Sequence, residues 1–256
     1  MPDEVESPVY SAAEIAAIVL DFLTFLTTLH HHPDDLVMPP PGGWPSYTPE
    51  ACAGFKSDFT IEVLRNLPYL DSRASGHQDS LGQIHYKSHL LDYSTFDRAR
   101  FTDQEYLWSN GESVPDHVFV FARGHESGGR TLFLDVLEGM VFEEELRCDA
   151  FDQDLKEYFE DLTEKYRNLE LIPCPGRQMI EVRAAGVNLE ELSEPLSEEE
   201  VLRQTDPLWG YSALDIQYTR QRYRAFGWPN NFRPDEAFRE ISELIAKREA
   251  KDPESQ

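Results

Sequence analysis

The stretch that decides the fold is "HVFVFARGHESGGRTLFLDVLEGMVFEEE", residues 117–145, because it carries the alternating pattern of β-strands. Apolar side chains recur over residues 118–122 and again over 132–136, as they do in strands buried on one or both faces. Gly128 lies between the two runs and Gly139 follows the second one. Both supply the positive φ angles that tight hairpin turns need. We therefore expect a three-stranded antiparallel β-meander in the middle third of the chain.

Two helices are predicted before the meander. Ser11 with Glu14 forms a capping box, in which the serine hydroxyl and the glutamate carboxylate accept backbone N–H groups of the first turn. Thr48 is expected to cap a second helix, which has Pro49 at its first position and continues to Leu67. The proline- and glycine-rich run between the two helices predicts a loop.

Further helices and a short strand region are predicted after the meander. Asp149 is expected to cap a helix that packs on the sheet, and one or two strands follow within residues 169–184. A capping box at Ser197 begins a short helix, Gly227 closes a longer one and Pro234 opens the last.

This order of elements predicts an α+β protein: an antiparallel β-meander packed against helices, with helical N- and C-terminal extensions. The length fits a single α+β domain over residues 1–256. Within it we expect a helical N-terminal part at residues 11–67, a sheet core with one packed helix at 84–185, and a helical C-terminal part at 197–250.

The chain is strongly acidic. Its 48 Asp and Glu residues against 23 Lys and Arg residues give a formal net charge of −25. Such a surface repels nucleic-acid phosphates and anionic membranes at long range, so neither is expected as a partner. A basic protein is the macromolecular partner that this charge favours, and general solubility is the alternative explanation of the acidity.

Cysteine usage and the N-terminal sequence favour the cytoplasm, with the nucleus as the second location. Cys52, Cys148 and Cys174 are odd in number and widely spaced, which suits neither a disulfide framework nor a paired-cysteine metal site. The first residues lack the basic start of a secretory signal, and Glu14 and Asp21 interrupt the apolar segment where a membrane span would have no charge.

Three histidines and two aspartates adjoin a proline-rich turn in "LHHHPDDLVMPPPGGWP", residues 29–45. Consecutive side chains on a helix diverge by about 100°, so the three histidines cannot all converge on one metal ion. His30 with Asp34 or Asp35 is the pair on which a metal-dependent enzyme would be built. Polar histidines also suit the C-terminus of a helix without any metal, and we assign no metal site.

The hairpin segment "RGHESGGR", residues 123–130, is interpreted as a recognition loop. His125, Glu126 and Arg130 are the side chains expected to contact a partner, because loops on a rigid sheet commonly carry binding residues. Turn formation alone would also explain the glycines. The chain contains no HExxH helix, phosphate-binding loop or GxSxG motif, so we predict no catalytic residues and no cofactor.

Arginines and large aromatic residues indicate an alternative function. Four arginines lie close together near the C-terminus: Arg220, Arg222, Arg224 and Arg233. Guanidinium groups bind carboxylates and phosphates through paired hydrogen bonds, although ion pairs with the many carboxylates of the chain explain the arginines equally well. With the Trp-Pro turns, the C-terminal helices would form the pocket of a small-molecule-binding protein or enzyme. The expected pocket residues are Trp44, Trp209, Tyr218, Arg222 and Trp228.

Asn110-Gly111, a meander containing Leu134-Asp135 and Gly139-Met140-Val141, and the segment "FDQDLKEYFEDL" follow one another over roughly residues 106–166. This order resembles the SUKH superfamily of immunity proteins and fungal cell-wall regulators. The resemblance implies a non-catalytic intracellular protein-interaction domain whose sheet and hairpin loops form the recognition surface. The whole chain is also similar to a group of fungal proteins with PPPGGWP and GWPxxFR elements, from which no activity can be carried over.

Overall fold

The computed structural model describes residues 7–71, 82–103, 106–108, 110–145, 150–175, 178–183, 185, 192, 194–204 and 211–251. Its strands are β1 (Leu36–Val37), β2 (Tyr69–Leu70), β3 (Gln83–His85), β4 (Ser88–Leu90), β5 (Val118–Gly124), β6 (Arg130–Asp135), β7 (Met140–Glu145), β8 (Ala150–Asp154), β9 (Leu171–Cys174) and β10 (Gln178–Glu181). Its helices are α1 (Ala12–Thr27), α2 (Pro49–Cys52), α3 (Asp58–Asn66), α4 (Leu155–Arg167), α5 (Glu198–Leu202), α6 (Ala213–Ala225) and α7 (Pro234–Lys251). The architecture is α+β, as the sequence predicts. None of the described helices combines the length and the apolar content that a bilayer span requires.

The chain packs as two compact units. The first, here the N-terminal unit, comprises Met1–Thr27 and His31–Thr163, and the second, the C-terminal unit, comprises Thr28–His30 and Glu164–Gln256. The single domain expected from the chain length stays a prediction, because compact units of this kind occur both within one domain and as separate domains.

The main sheet belongs to the N-terminal unit and contains β3 to β8, each paired antiparallel with the next strand along the chain. The three strands predicted from the alternating pattern are confirmed as β5, β6 and β7. In the register of β6 and β7, Phe133 lies opposite Phe142. The register of β5 shifts between Val120 and Ala122, so β5 has a bulge at Phe121.

Aromatic contacts join this sheet to α1 and to the part of α4 that belongs to the same unit. Phe159 of α4 lies 5.1 Å from Phe22 of α1 and 5.5 Å from Phe121 of β5, measured between ring centroids. All three side chains are buried. Burial of an aromatic side chain of this size stabilises the fold by about 1.5–3 kcal/mol, so this cluster fixes the two helices on the sheet.

Predicted capping boxes begin two of the helices. At the start of α1 the backbone N–H of Ser11 donates to Glu14 at 2.8 Å, and the N–H of Glu14 donates to the Ser11 hydroxyl at 3.3 Å. The same reciprocal pair of hydrogen bonds joins Ser197 and Glu200 at the start of α5. Both predictions are confirmed, because the pattern depends only on residues three positions apart.

The prediction of one continuous helix from Thr48 to Leu67 is wrong. Thr48 does cap a helix, since its hydroxyl accepts the N–H of Ala51 at 3.2 Å, but α2 ends at Cys52. Gly54 follows with a left-handed φ of 63°, which a right-handed helix does not contain. The α3 helix then begins at a new cap, where the hydroxyl of Ser57 accepts a backbone N–H at 3.1 Å.

The helix after the meander begins later than predicted. Asp149, the expected cap, lies outside the described residues, and the strand β8 precedes the helix. The cap is Asp154, whose carboxylate accepts the N–H groups of Lys156 at 2.9 Å and Glu157 at 3.1 Å. The Tyr10 hydroxyl also donates to Asp154 at 2.8 Å, and this hydrogen bond raises the pKa of Tyr10 to about 12.

In the C-terminal unit, β9 and β10 form an antiparallel hairpin, in agreement with the strands expected there. The Tyr223 hydroxyl of α6 donates to the carbonyl of Pro173 in β9 at 2.5 Å, which joins helix and hairpin. Gly227 closes the turn after α6 with a φ of 93°, and Pro234 opens α7, both as predicted. A Cβ on Gly227 would lie 2.3 Å from the carbonyl oxygen of Asn231, so a larger residue does not fit this turn.

Candidate functional site

Two neighbouring turns at one end of the main sheet contain the recognition loop predicted from the sequence. One turn joins β3 to β4 through Tyr86 and Lys87, and the other joins β5 to β6 through residues 125–129. We call them the paired turns. The backbone N–H of His125 donates to the carbonyl of Lys87 at 2.9 Å, and the N–H of Arg130 donates to that of Tyr86 at 3.4 Å. The turns are therefore joined by their backbones as well as through the sheet.

Gly129 allows the two turns to approach each other this closely. A Cβ at this position would lie 2.5 Å from the carbonyl oxygen of His125 and 2.9 Å from that of Lys87. Real Cβ atoms do not approach backbone atoms to 2.5 Å, so the contact requires glycine. From the sequence, turn formation explains the glycines of this segment, and the structure adds a steric reason for the glycine at position 129.

An ion pair joins the side chains of the paired turns. The Lys87 ammonium lies 3.2 Å from the carboxylate of Glu126 and donates to the carbonyl of Ser127 at 3.1 Å. Both ionic residues adopt left-handed backbone, with φ of 48° at Lys87 and 60° at Glu126. This conformation is uncommon for residues other than glycine and concentrates at binding and catalytic sites.

The charged groups behind the paired turns form a second ionic cluster. The guanidinium of Arg130 contacts Glu143 at 3.2 Å and also pairs with Glu145. Glu143 in turn accepts a hydrogen bond from the Tyr158 hydroxyl at 2.6 Å and lies 3.8 Å from the ring of His85. Arg130, the third predicted recognition residue, is thus mostly buried in this cluster. Its guanidinium pairs with the carboxylates behind the turn and is little exposed to solvent.

His125 and Glu126 are exposed, as the prediction of a recognition loop requires. We call the exposed residues 125–127 of the paired turns the tip. The side chain of Glu126 is 69% exposed even though it pairs with Lys87. The ring of His125 lies 5.9 Å from the ring of His89, a residue of β4. The tip therefore presents an imidazole, a carboxylate and the Ser127 backbone, and the hydrogen bonds between the two turns hold it in place.

Trp44 serves an internal role in the N-terminal unit. Its indole N–H donates to the carbonyl of Leu67 at 2.9 Å, and its ring meets Tyr69 edge-on at 5.5 Å. Leu67 is the C-cap residue directly after α3, so the indole satisfies a carbonyl at the C-terminus of that helix. This leaves 8% of Trp44 exposed.

Trp228 makes the corresponding contact in the C-terminal unit. Its indole N–H donates to the carbonyl of Tyr166 in the last turn of α4 at 2.9 Å, and its ring packs edge-on against Phe232 at 4.8 Å. The similar Trp-Pro motifs at the two ends of the sequence thus share one local device: an indole that caps a helix C-terminus. Trp209, the third predicted pocket tryptophan, lies outside the described residues.

Tyr218 and Arg222 are brought together by Glu240. The Tyr218 hydroxyl donates to the Glu240 carboxylate at 3.1 Å, and the Arg222 guanidinium donates to its second oxygen at 2.7 Å. The hydrogen bond to Glu240 raises the pKa of Arg222, and burial with that carboxylate raises the pKa of Tyr218 to about 12. Both predicted ligand-binding groups are therefore engaged by a carboxylate of the same unit, and their role in binding a small molecule stays a prediction.

The other arginines of this stretch have different surroundings. Arg220 is buried and donates to the carbonyl of Asn168 at 3.1 Å. Arg224 donates to the carbonyl of Arg167 at 3.1 Å. Arg233 pairs with Glu236 on the first turn of α7 at 3.0 Å. These contacts match the ion-pair and helix-terminus explanation of the arginines.

The three consecutive histidines have three separate environments. His30 stacks on Tyr166 at 5.7 Å within the C-terminal unit. His31 lies in the N-terminal unit, where it is buried and its Nε2 donates to the carbonyl of Gln83 at 2.9 Å. Burial lowers the pKa of His31.

His32 caps the short 3-10 helix at Pro33–Asp35. The backbone N–H of His32 donates to Asp35 at 3.1 Å, and the N–H of Asp34 donates to His32 at 3.2 Å. Within the described part of the chain, no group of three or more histidine, cysteine or acidic side chains is arranged to hold a metal ion.

Sequence reasoning missed Lys56, which lines a cavity with several aromatic rings. Burial lowers the pKa of this lysine to about 8, against an opposing effect of the nearby Asp116 carboxylate. A lysine between Phe55 and Ser57 carries no motif, and the rings around it come from distant positions, so only the folded chain reveals the arrangement.

Comparison of the whole chain with protein-family models, with curated proteins and with solved structures gives no match.

Proposed function

We propose that this chain is a non-catalytic protein-interaction domain of SUKH-like type, with the paired turns as its recognition surface. The observation that carries the proposal is the ion pair between Lys87 and Glu126, two non-glycine residues held in left-handed backbone at the exposed tip. Strained backbone persists only where its surroundings hold it in place, and it is typical of sites that bind or switch.

The bracing of the paired turns supports a binding role. Cross-turn hydrogen bonds at His125 and Arg130, with the close approach at Gly129, hold the tip in one conformation. A surface that is ordered before binding loses less conformational freedom on association, and therefore binds more tightly for the same contacts.

The partner that we propose is a basic protein. Lys87 of the paired turns faces Glu126, and Arg130 behind them faces both Glu143 and Glu145. Within these ion pairs three carboxylates face two cations, and the chain as a whole carries a net charge of −25. Charge complementarity of this kind accelerates association and makes binding sensitive to salt.

We place the protein in the cytoplasm or the nucleus. Cys52 and Cys174 are free and buried, which suits a reducing compartment, while Cys148 lies outside the described residues. Burial raises the pKa of the Cys174 thiol to about 12, so this thiol stays protonated and unreactive at neutral pH.

Site-specific photocrosslinking in a cell lysate tests the proposal. A photoreactive residue replaces Ser127 on the tip or, as the matched control, Glu160 on the exposed face of α4. We expect a specific protein adduct from the Ser127 position at low salt, with less of it at high salt. Equal adducts from both positions, or none from the tip, would overturn the proposal.

Charge-reversal variants then test which ion pair matters. Glu126→Lys reverses the charge at the tip, and Glu160→Lys reverses the equivalent exposed carboxylate of the Lys156–Glu160 pair on α4. The captured partner should bind Glu126→Lys about tenfold more weakly and Glu160→Lys with nearly unchanged affinity. The same loss in both variants would indicate a general charge effect and would exclude the tip as the recognition surface.

A further inference from the structure

An aromatic cavity of about 210 Å³ lies within the N-terminal unit. Its walls include Phe55, Tyr93, Phe101, Tyr106 and Phe119. The rings of Phe55 and Phe101 are 4.2 Å apart, and Phe101 lies 5.1 Å from Tyr106, measured between centroids. A dry apolar cavity of roughly 150 Å³ holds benzene, so this space accommodates a single aromatic ring with a small substituent.

Lys56 brings an ammonium group to this cavity. The group donates to the carbonyls of Val114 at 3.2 Å and Pro115 at 2.5 Å, and it lies 5.9 Å from the centroid of the Phe55 ring. An ammonium group has three N–H donors, so two carbonyl contacts leave one donor for a ligand. The two carbonyls hold the ammonium in place before any ligand arrives.

The phenol groups of the cavity are already engaged. The Tyr93 hydroxyl donates to the carbonyl of Val120 at 2.6 Å, and the Tyr106 hydroxyl accepts a hydrogen bond from Arg100 at 2.9 Å. Burial holds the pKa of Tyr93 well above its ordinary value, so this ring stays neutral. Lys56 therefore provides the main positive group for an anionic ligand.

The charged side chains that line the cavity are both cations, and the Asp116 carboxylate lies near Lys56 without lining the cavity. Lys56 and Arg98 both line it, and the described lining residues include no Asp or Glu. Arg98 donates to the carbonyls of Ala53 and Gly54, both at 3.1 Å, which fixes its guanidinium at the end of α2. Two positioned cations beside an aromatic wall, in a chain of net charge −25, favour an anion with an apolar body.

We propose that this cavity binds a small aromatic carboxylate, with its ring packed against the wall formed by Phe55, Phe101 and Tyr106 and its carboxylate on the ammonium of Lys56. The ring gains offset or edge-on contacts with the aromatic walls, and the carboxylate forms a charge-assisted hydrogen bond. This site is separate from the paired turns and goes beyond the protein-binding function.

Calorimetric titration of the full chain with matched acids and amides tests the proposal. Benzoate and phenylacetate carry the carboxylate, while benzamide and phenylacetamide have nearly the same shape without the charge. We expect the acids to bind at least tenfold more tightly than their amides. Equal affinity for acid and amide, or no binding of either acid, overturns the proposal without the use of any variant.

Two lysine variants assign the effect to this site. Lys56→Met keeps the length of the side chain and removes its charge, and it should weaken benzoate binding at least tenfold while benzamide affinity is retained. Lys156→Met removes an exposed lysine on α4 and should change neither affinity. Unchanged benzoate binding by Lys56→Met would show that the acid binds elsewhere. Amide proton spectra of the variant establish that it is folded, and the acid-amide comparison stands if it is not.

Discussion

Lys87 and Glu126 form an ion pair of 3.2 Å across two turns, and each residue adopts a left-handed φ. A left-handed conformation costs a residue with a Cβ about 1–2 kcal/mol. An exposed ion pair returns about 0–1 kcal/mol, which is too little to offset two such residues. The conformation is therefore held by the hydrogen bonds and close packing of the paired turns.

The backbone strain at Glu126 predicts how the tip responds to substitution. Glu126→Gly and Glu126→Ala both remove the ion pair, but only glycine adopts the φ of 60° without steric conflict. We expect Glu126→Gly to be more stable than Glu126→Ala by about 1 kcal/mol in urea unfolding. Equal stability of the two variants would contradict the left-handed assignment.

The contact at Gly129 predicts a steric cost. Gly129→Ala places a methyl group against backbone atoms of His125 and Lys87, and should lower the free energy of unfolding by about 1–3 kcal/mol. Gly42→Ala is the control, because Gly42 has a left-handed φ of 92° but open space around it. We expect a loss of about 1–2 kcal/mol there, from the backbone conformation alone. Chemical denaturation of both variants compares them, and a smaller effect at Gly129 would rule out close packing of the turns.

The indole contact of Trp44 predicts that its nitrogen matters. Trp44→Phe removes the donor to the carbonyl of Leu67 and leaves that buried oxygen without its hydrogen bond, a loss of about 1–3 kcal/mol. In Trp228→Phe the carbonyl of Tyr166 keeps the N–H of Leu169 as a donor at 3.0 Å. The loss from hydrogen bonding alone is then about 1 kcal/mol. Urea unfolding of the two variants should show the larger effect at Trp44.

The burial of His31 predicts a loss of stability in acid. Burial lowers the pKa of His31 below its ordinary value of 6.5, so in the folded state the ring stays neutral while the unfolded chain takes up a proton. The unfolded state therefore binds more protons below pH 6.5, and stability falls as the pH decreases through that value. His31→Gln keeps a donor for the carbonyl of Gln83 and does not titrate. Unfolding measured at about pH 7 and about pH 5 should show a smaller decrease for this variant than for the wild type.

Patterns that act over a few residues were predicted correctly. The alternation along β5 and β6 and the capping boxes at Ser11 and Ser197 depend on neighbours in sequence, so the sequence alone specifies them. The same holds for the hairpin turn at residues 125–129, because a glycine-rich segment between two apolar strands favours a hairpin, while the contact of His125 and Glu126 with a partner stays a prediction.

Features that depend on distant contacts were missed. The strand β8 has the polar sequence AFDQD, and it is a strand because β7 supplies its hydrogen-bond partners, from Met140 opposite Asp154 to Glu144 opposite Ala150. The break between α2 and α3 depends on the left-handed turn at Gly54, which a helical apolar stripe does not reveal. The cavity at Lys56 collects rings from separate parts of the chain, so no local pattern indicates it.

The pairing order of the main sheet has a consequence for biosynthesis. Every strand from β3 to β8 pairs with its neighbour in sequence. Each strand can therefore form its backbone hydrogen bonds once the next strand has been synthesised. The N-terminal unit ends at Thr163, so its parts have all left the ribosome before most of α6 and α7 exist. The sheet and its turns can therefore fold during translation, ahead of the C-terminal third of the chain.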